Sequence, residues 1–270
     1  FYAQKLFAVM GVTGLLQVVV GHRMPLVVGP AAVLLVGVIS SLGAGADSDA
    51  VYSSIALGGL LVALLTIGGA MRYVQRLFTP RIVVVILMLI AFTLTPTIAN
   101  ALVFSGASND ERIFGLIFAI VGVVAMVVLN RTLKGVAKSL VIPIALIVGS
   151  IAYFICFDTP TYTGSSASLE GMLIEEFTFD WGLVVAFVIC YIALVINDIG
   201  SMESLGAMLG IKDMDRRTKR GMRLTGVMNI VSGAMGVLGP VNYSMSPGVI
   251  ASTGCASRYA LIPATVVLAL

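Results

Sequence analysis

Long apolar runs broken by short polar punctuation set the pattern of this chain. Runs approaching the roughly 20 apolar residues that a spanning helix needs lie at about 1–20, 24–42, 53–71, 82–99, 113–129, 140–157, 182–199, 224–238, 241–256 and 259–270. Two of them are not simple helices. "GHRMPLVVGPAAVLLVGVISS" (21–41) and "GPVNYSMSPGVIASTGCASRY" (239–259) each open on glycine with proline or polar residues. Each then passes through a stretch that a helix disfavours and continues as a short apolar helix rich in small residues. Proline removes a backbone donor and biases the residue before it away from helix. Pro25 and Pro30 in one segment, and Pro240 and Pro247 in the other, therefore fence off short extended pieces.

Composition turns this pattern into a class. Hydrophobic residues make up 59% of the 270, charged residues 11%, and the mean hydropathy is +1.08, which is the balance of an integral, multi-pass membrane protein. The chain starts at Phe1 and stops at Leu270 inside an apolar run, so a piece of a longer polytopic protein is expected. If the first segment runs outward to inward, the loops at 21–23, 72–81, 130–139, 200–223 and 257–258 fall inside. Those at 43–52, 100–112 and 158–181 fall outside. Fourteen of the 16 Lys and Arg then lie on the inner side, among them Arg72, Arg76, Arg81, Arg131, Lys134, Lys138 and the Lys212 to Arg223 cluster; only Lys5 and Arg112 lie outside. The positive-inside rule selects this orientation, with a bacterial inner or plasma membrane as the expected location. A basic loop between spans is explained by topology and anionic lipid, so no nucleic-acid partner is expected. The outer loop 158–181 is acidic, with Asp158, Glu170, Glu175, Glu176 and Asp180.

Non-helical backbone at membrane depth persists only where protein or a water-filled cavity satisfies it. Paired Gly/Pro-interrupted spans in two halves of a chain point to the binding site of a transporter. The new helix that follows each break also offers unpaired N–H groups. A second site-like stretch is "IALVINDIGSMESLGAMLG", where Asn197 and Asp198 end a long uncharged run. A carboxylate there is a functional-site candidate, the competing reading being a helix-end residue that snorkels to the inner interface or pairs with Arg220 or Arg223. At 100° per residue Asn197 and Ser201 share one face and Asp198 and Met202 another, so one of the adjacent pair faces a cavity. Glu203 is expected at the interface, and His22 is expected to be a solvated loop residue. Cys156, Cys190 and Cys255 read as small packing residues without metal spacing. No metal cluster, cofactor site or nucleophile elbow is visible in the sequence, and an enzyme is not expected.

Four stretches together resemble the nucleobase-ascorbate transporter family, the nucleobase:cation symporter type-two family of uracil, xanthine and urate permeases. "RMPLVVGPAAVLLVGVI" resembles its third span, a short strand and then a helix, and "NDIGSMESLGA" resembles the "E-S-I-G-D" region of its eighth. "KRGMRLTGVMNIVSGAMG" is similar to the ninth-span pattern "R-G-x-x-x-D-G-x-x-x-x-x-x-G-x-x-G" at Arg220, Gly221, Gly226, Gly233 and Gly236. "YSMSPGVIASTGCASRY" resembles the tenth-span signature at Tyr243, Ser244, Gly248, Thr253, Gly254, Ser257 and Arg258. The resemblance implies an all-α polytopic fold of inverted seven-plus-seven-span repeats, with two broken spans that hold short antiparallel strands, and of which this chain holds spans two to eleven. It implies a core domain at 1–78 (spans two to four) and 182–270 (spans eight to eleven), a gate part at 79–157 (spans five to seven) and an extracytoplasmic loop at 158–181.

The resemblance further implies a secondary transporter working by alternating access, coupled to H+ or Na+, in some members a homodimer. Substrate would sit between the two broken spans. The family's two base-reading glutamates align here with Asn197 and Met245, its signature Asn with Ser246, and its base-stacking Phe with Ala32. A thioether cannot accept two N–H donors as a carboxylate does. The expected substrate contacts are Asn197, Ser201, Ser244 and Ser246 with the backbone of Ala31, Ala32 and Met245, and the expected coupling group is Asp198. An anion or carboxylate carrier on the same fold remains open, as does a receptor or scaffold that does not transport.

Overall fold

The computed structural model describes residues 2–67, 109–133, 141–156 and 173–270, with the single positions 88, 92, 95, 99 and 137. Apart from those single positions the expected span at 82–99 lies outside the described residues, as do the loop at 72–81, residues 158–172 of the outer loop, Lys134, Lys138 and the Cys156 side chain. The chain divides into two compact units. One comprises Phe1–Ile90, Ser166–Pro247 and Ala256–Leu270, the other Ala91–Ser165 and Gly248–Cys255.

In the first unit, α1 (Tyr2–Val19) leads through a turn into strand β1 (Val28–Pro30) and the short helix α2 (Ala32–Gly43), and α3 (Ser48–Ile67) follows. In the second unit α4 (Asn109–Thr132) and α5 (Val141–Cys156) pack through aromatic side chains. Phe118 stacks on Phe114 at a centroid distance of 6.3 Å and meets the edge of Tyr153 at 6.2 Å. The first unit resumes with α6 (Trp181–Leu209), α7 (Met214–Ala234) and strand β2 (Pro240–Asn242); the short α8 (Ser246–Thr253) belongs to the second unit from Gly248 on, and after a 3-10 turn α9 (Leu261–Ala269) belongs to the first. Among the described residues, α1, α3, α4 and α6 are long and apolar enough to cross a membrane.

Both interrupted runs adopt the expected strand-then-helix form. Strands β1 and β2 pair antiparallel, with Val28 opposite Asn242, Gly29 opposite Val241 and Pro30 opposite Pro240. The prolines face each other at one end of the ladder, where a missing N–H interrupts least. Beyond them Ala31 N donates to Gly239 O, and at the other end Tyr243 N donates to Val27 O, both at 2.9 Å. Two short strands thus satisfy each other's backbone inside the protein, which is what permits non-helical chain at this depth.

The expected inner loop at 200–223 is corrected. α6 continues to Leu209, and α7 begins at Met214, so most of the basic cluster forms the first turns of a helix. Gly210 closes α6 in the left-handed region at φ 65°, with Ile211 N reaching back to Gly206 O at 3.0 Å; glycine adopts that backbone without the Cβ penalty. At its other end α6 is capped by Asp180, whose Oδ1 accepts from Gly182 N (2.7 Å) and Leu183 N (3.2 Å). The described end of the outer loop is tied to the start of α3, where Glu176 N donates to Asp49 Oδ2 at 3.1 Å and Thr178 Oγ1 to Asp47 Oδ2 at 3.3 Å.

Helices α3 and α7 interlock through glycine. A Cβ on Gly226 would fall 2.7 Å from Ala63 N, one on Gly59 2.6 Å from Ile230 N, and one on Gly233 against the backbone of Ala56 and Tyr52. Close backbone approach of this kind is how membrane helices associate where burial from water supplies no drive.

Candidate functional site

The crossing of the two broken spans opens a cavity of about 390 Å³. Pro30, Ala31, Ala32 and Val33 line it where β1 becomes α2, and Val241, Tyr243, Ser244 and Met245 where β2 leads toward α8. Leu194 and Asn197 of α6 complete the wall. The start of α2 carries no side-chain cap, since Ala31 stands at its N-cap. Its first N–H groups are thus among the orphans that every helix start leaves, and the helix dipole adds a partial positive charge there. Among the described residues the lining holds one amide side chain, one hydroxymethyl, one phenol and one thioether, and neither a carboxylate nor a cation. The Tyr243 ring lies over Gly29, where a Cβ would fall within the ring atoms, and its hydroxyl donates to Pro30 O at 3.2 Å.

Beside this cavity, on the other face of α6, lies a buried polar network centred on Asp198, which is 0% exposed. Its Oδ1 accepts from both Asn242 N (3.0 Å) and Asn242 Nδ2 (2.6 Å), and its Oδ2 accepts from Thr225 Oγ1 (2.8 Å). Both donors are themselves held from behind. The Asn242 Oδ1 faces His22 Nε2 at 3.0 Å, while His22 Nδ1 accepts from Met24 N at 2.9 Å, which fixes the ring as the neutral Nε2–H tautomer. Thr225 Oγ1 accepts from Gln17 Nε2 at 3.1 Å, and the same amide donates to Gly221 O at 3.0 Å. Arg217 closes the basic end: its Nη1 donates to His22 O (3.3 Å) and Arg23 O (3.0 Å), while its Nε pairs with Asp213 at 2.8 Å. That arginine holds the exposed Asp213 carboxyl below its ordinary range.

A second network lies next to it. Asn229 Nδ2 donates to Thr225 O (2.7 Å) and Pro240 O (3.0 Å), and its Oδ1 and Ile55 O both lie within reach of the Tyr191 hydroxyl, at 2.8 and 2.9 Å. Thr225, Asn229 and Ser232 are all buried on one face of α7; Asn229 ties that helix to β2 through Pro240 O, and Thr225 ties it to Asp198 of α6.

The residues expected from sequence divide in two. Ala31, Ala32, Asn197, Ser244 and Met245 come together around the cavity. Ser201 and Ser246 are buried in internal bonds: Ser201 Oγ donates to Asn197 O at 2.7 Å and reaches Asn242 O at 3.1 Å, and Ser246 Oγ accepts from Val27 N and donates to Tyr243 O. Asp198 is turned away from the cavity toward Asn242 and Thr225, and these, not Arg220 or Arg223, are its hydrogen-bond partners. His22 is a correction, because it is fully buried and hydrogen-bonded instead of solvated; the chain before β1 folds inward under α1 and carries the ring with it. Glu203 is exposed. Gln17, Thr225, Asn229 and Asn242 were not expected. Thr225, Asn229 and Ser232 recur at i, i+4 and i+7 in an apolar span, a periodicity that marks one polar face.

Two broken spans crossing as an antiparallel strand pair, with a cavity at the crossing, define a multi-pass membrane protein of the inverted-repeat transporter fold. The transmembrane domain of the cyanobacterial bicarbonate transporter BicA shares this fold, with a TM-score of 0.71 over 97% of this chain and 73% of that one at 18% identity. The Permease family model (Xan_ur_permease) matches residues 3–270, and the chain belongs to that family. It is 27% identical over 235 residues, 84% of its length, to a Clostridium perfringens protein named as a purine permease, and 23% identical over 286 residues to the uric acid permease PucJ of Bacillus subtilis. The chain spans 51% and 60% of the length of these two relatives.

Proposed function

We propose that this protein is a secondary transporter that moves a nucleobase or a similar small planar polar solute by alternating access. The observation that carries the reading is the cavity between the two broken spans. At about 390 Å³ it lies at the small end of ligand pockets, which run from roughly 300 to 1,000 Å³, a size suited to a single heterocycle. The family membership and the names of its relatives, purine, uric acid and xanthine permeases, support the same substrate class. Asn197 and Ser244 offer side-chain hydrogen bonds, Tyr243 an aromatic face, and the start of α2 its free N–H groups. Asp198 is the coupling carboxylate, taking up H+, with Na+ as the alternative coupling ion. A homodimer in the lipid bilayer is the expected assembly.

A second reading is an anion or carboxylate carrier on the same fold. It is favoured by a lining that holds no carboxylate among the described residues, next to an uncapped helix start. Uptake of labelled uracil, xanthine and urate into vesicles carrying the full-length protein, with bicarbonate, sulfate and dicarboxylates as competitors, separates the two. Competition by purines and pyrimidines with no effect of the inorganic anions is the expected result; inhibition by the anions alone sinks the nucleobase reading.

A further inference from the structure

The donors around Asp198 are not equivalent, and that inequality says where a proton can enter. Oδ1 receives two N–H groups from Asn242, one of them main chain. Neither can become an acceptor: an amide N–H has no lone pair to offer, and turning the side chain would set its Nδ2 against the His22 Nε2–H. His22 cannot yield either, because its Nδ1 is occupied as an acceptor by Met24 N. Oδ2 instead receives a single rotatable hydroxyl, that of Thr225, whose oxygen has lone pairs and already accepts from Gln17.

We propose that the proton enters Asp198 at Oδ2, and that His22 is the positioning residue that keeps Oδ1 clamped to strand β2 through Asn242 in both protonation states. The inference rests on the reading of Asp198 as the coupling group. In the protonation step H+ forms an O–H bond at Oδ2, the carboxylate becomes a neutral acid, and the Thr225 hydroxyl turns to accept in place of donating. Oδ1 becomes the carbonyl oxygen and keeps both Asn242 donors, now without the charge that makes such bonds about twice as strong as neutral ones. Uptake of the proton therefore weakens, without breaking, the hold of α6 on the strand that leads into the cavity wall at Tyr243. Of the other charged or titratable groups on the packed elements, Arg217 of α7 is held on the His22 and Arg23 carbonyls, Lys5 of α1 donates to Met235 O, Tyr243 is turned to Pro30 O, Tyr191 of α6 lies between Ile55 O and Asn229, and Glu203 of α6 is exposed.

Infrared difference spectroscopy of the full-length protein over a pH series tests this through the carboxylic C=O stretch that Asp198→Asn removes. A C=O holding two N–H donors absorbs at lower wavenumber than a free one. His22→Leu and Asn242→Ala are expected to move the band to higher wavenumber, His22→Gln, which still offers an N–H to Asn242, to restore it, and Thr225→Val to leave it in place. A band moved by Thr225→Val and not by His22→Leu puts the proton on Oδ1 and overturns the proposal; so does a band no variant moves, or the absence of any Asp198-dependent band across the pH range in which the protein stays folded. Should Asn242→Ala fail to fold, the His22→Leu and His22→Gln pair carries the test. The readout needs no substrate, so a shifted band with no uptake of any solute leaves the network standing and removes only the transport reading.

Discussion

Asn197 and Asp198 are neighbours in sequence and serve opposite sides of α6: Asn197 lines the cavity, and Asp198 is buried among Asn242 and Thr225. One peptide unit thus joins the candidate substrate wall to the candidate coupling group. Asp198→Asn keeps the shape and removes the proton site. Gradient-driven uptake is expected to fall to the level seen without a gradient, while exchange of substrate across the membrane continues. The amide oxygen keeps the two Asn242 donors and the introduced NH2 donates to the Thr225 hydroxyl, which turns to accept as it does for the neutral acid, so Tm is expected to change little. Undiminished gradient-driven uptake in a folded Asp198→Asn protein removes Asp198 from the coupling role.

Met245 stands where the family resemblance expects an acidic residue, and it is 48% exposed at the cavity. A carboxylate there gains two acceptor oxygens without being buried. Met245→Glu is expected to leave Tm within about 0.5 kcal/mol of equivalent stability and to strengthen competition by bases that present paired N–H donors, by on the order of tenfold, which is one charge-assisted hydrogen bond. Competition curves for xanthine and uracil against inorganic anions measure it. An unchanged ranking would place the substrate's N–H edge elsewhere in the cavity.

How much of this was legible follows from the range over which each feature is decided. The broken spans are written locally, in Pro25, Pro30, Pro240 and the glycines beside them, and Val28–Pro30 and Pro240–Asn242 form strands accordingly. The cavity members Ala31, Ala32, Ser244 and Met245 flank those breaks, so finding the breaks found them too. The Asp198 network is decided by tertiary contact: Gln17 meets Thr225 across 208 positions, and His22 meets Asn242 across 220. No local pattern joins such pairs. His22 lies beside Arg23 in a basic turn, where composition alone speaks for solvent, and only the inward fold of that turn beneath Arg217 buries it. The start of α7 was hidden for the opposite reason, because a run as charged as "KDMDRRTKRGMR" hides a helix from a search for apolar spans.

Gly29 lies under the ring of Tyr243, a residue of the cavity wall, with no space left for a Cβ. Gly29→Ala is expected to push the ring into the cavity and break its bond to Pro30 O. Small-to-large changes of this kind cost about 1–3 kcal/mol, and the cavity loses volume at the same time. Ligand-dependent stabilisation in a thermal-shift assay should disappear in Gly29→Ala and survive in Tyr243→Phe, which keeps the ring. Retained ligand stabilisation in Gly29→Ala would mean that the Tyr243 side of the cavity is not where the solute binds.

The interlocked glycines of α3 and α7 position both polar networks, since α7 carries Thr225 to Asp198 and Asn229 to β2. Gly226 meets Ala63 and Gly233 meets Ala56 backbone to backbone, and main chain cannot rotate aside as a flexible side chain would. A side chain at either glycine therefore has to separate the helices. Gly226→Leu and Gly233→Leu should each abolish folded protein, while Val227→Leu one position away, on an exposed face, should leave expression and Tm unchanged. Gel-filtration yield of the three variants decides it. A monodisperse Gly226→Leu protein that keeps its cavity ligand would show that the α3–α7 contact does not hold β2 in place, and that Asp198 and the strand ladder are sufficient to do so.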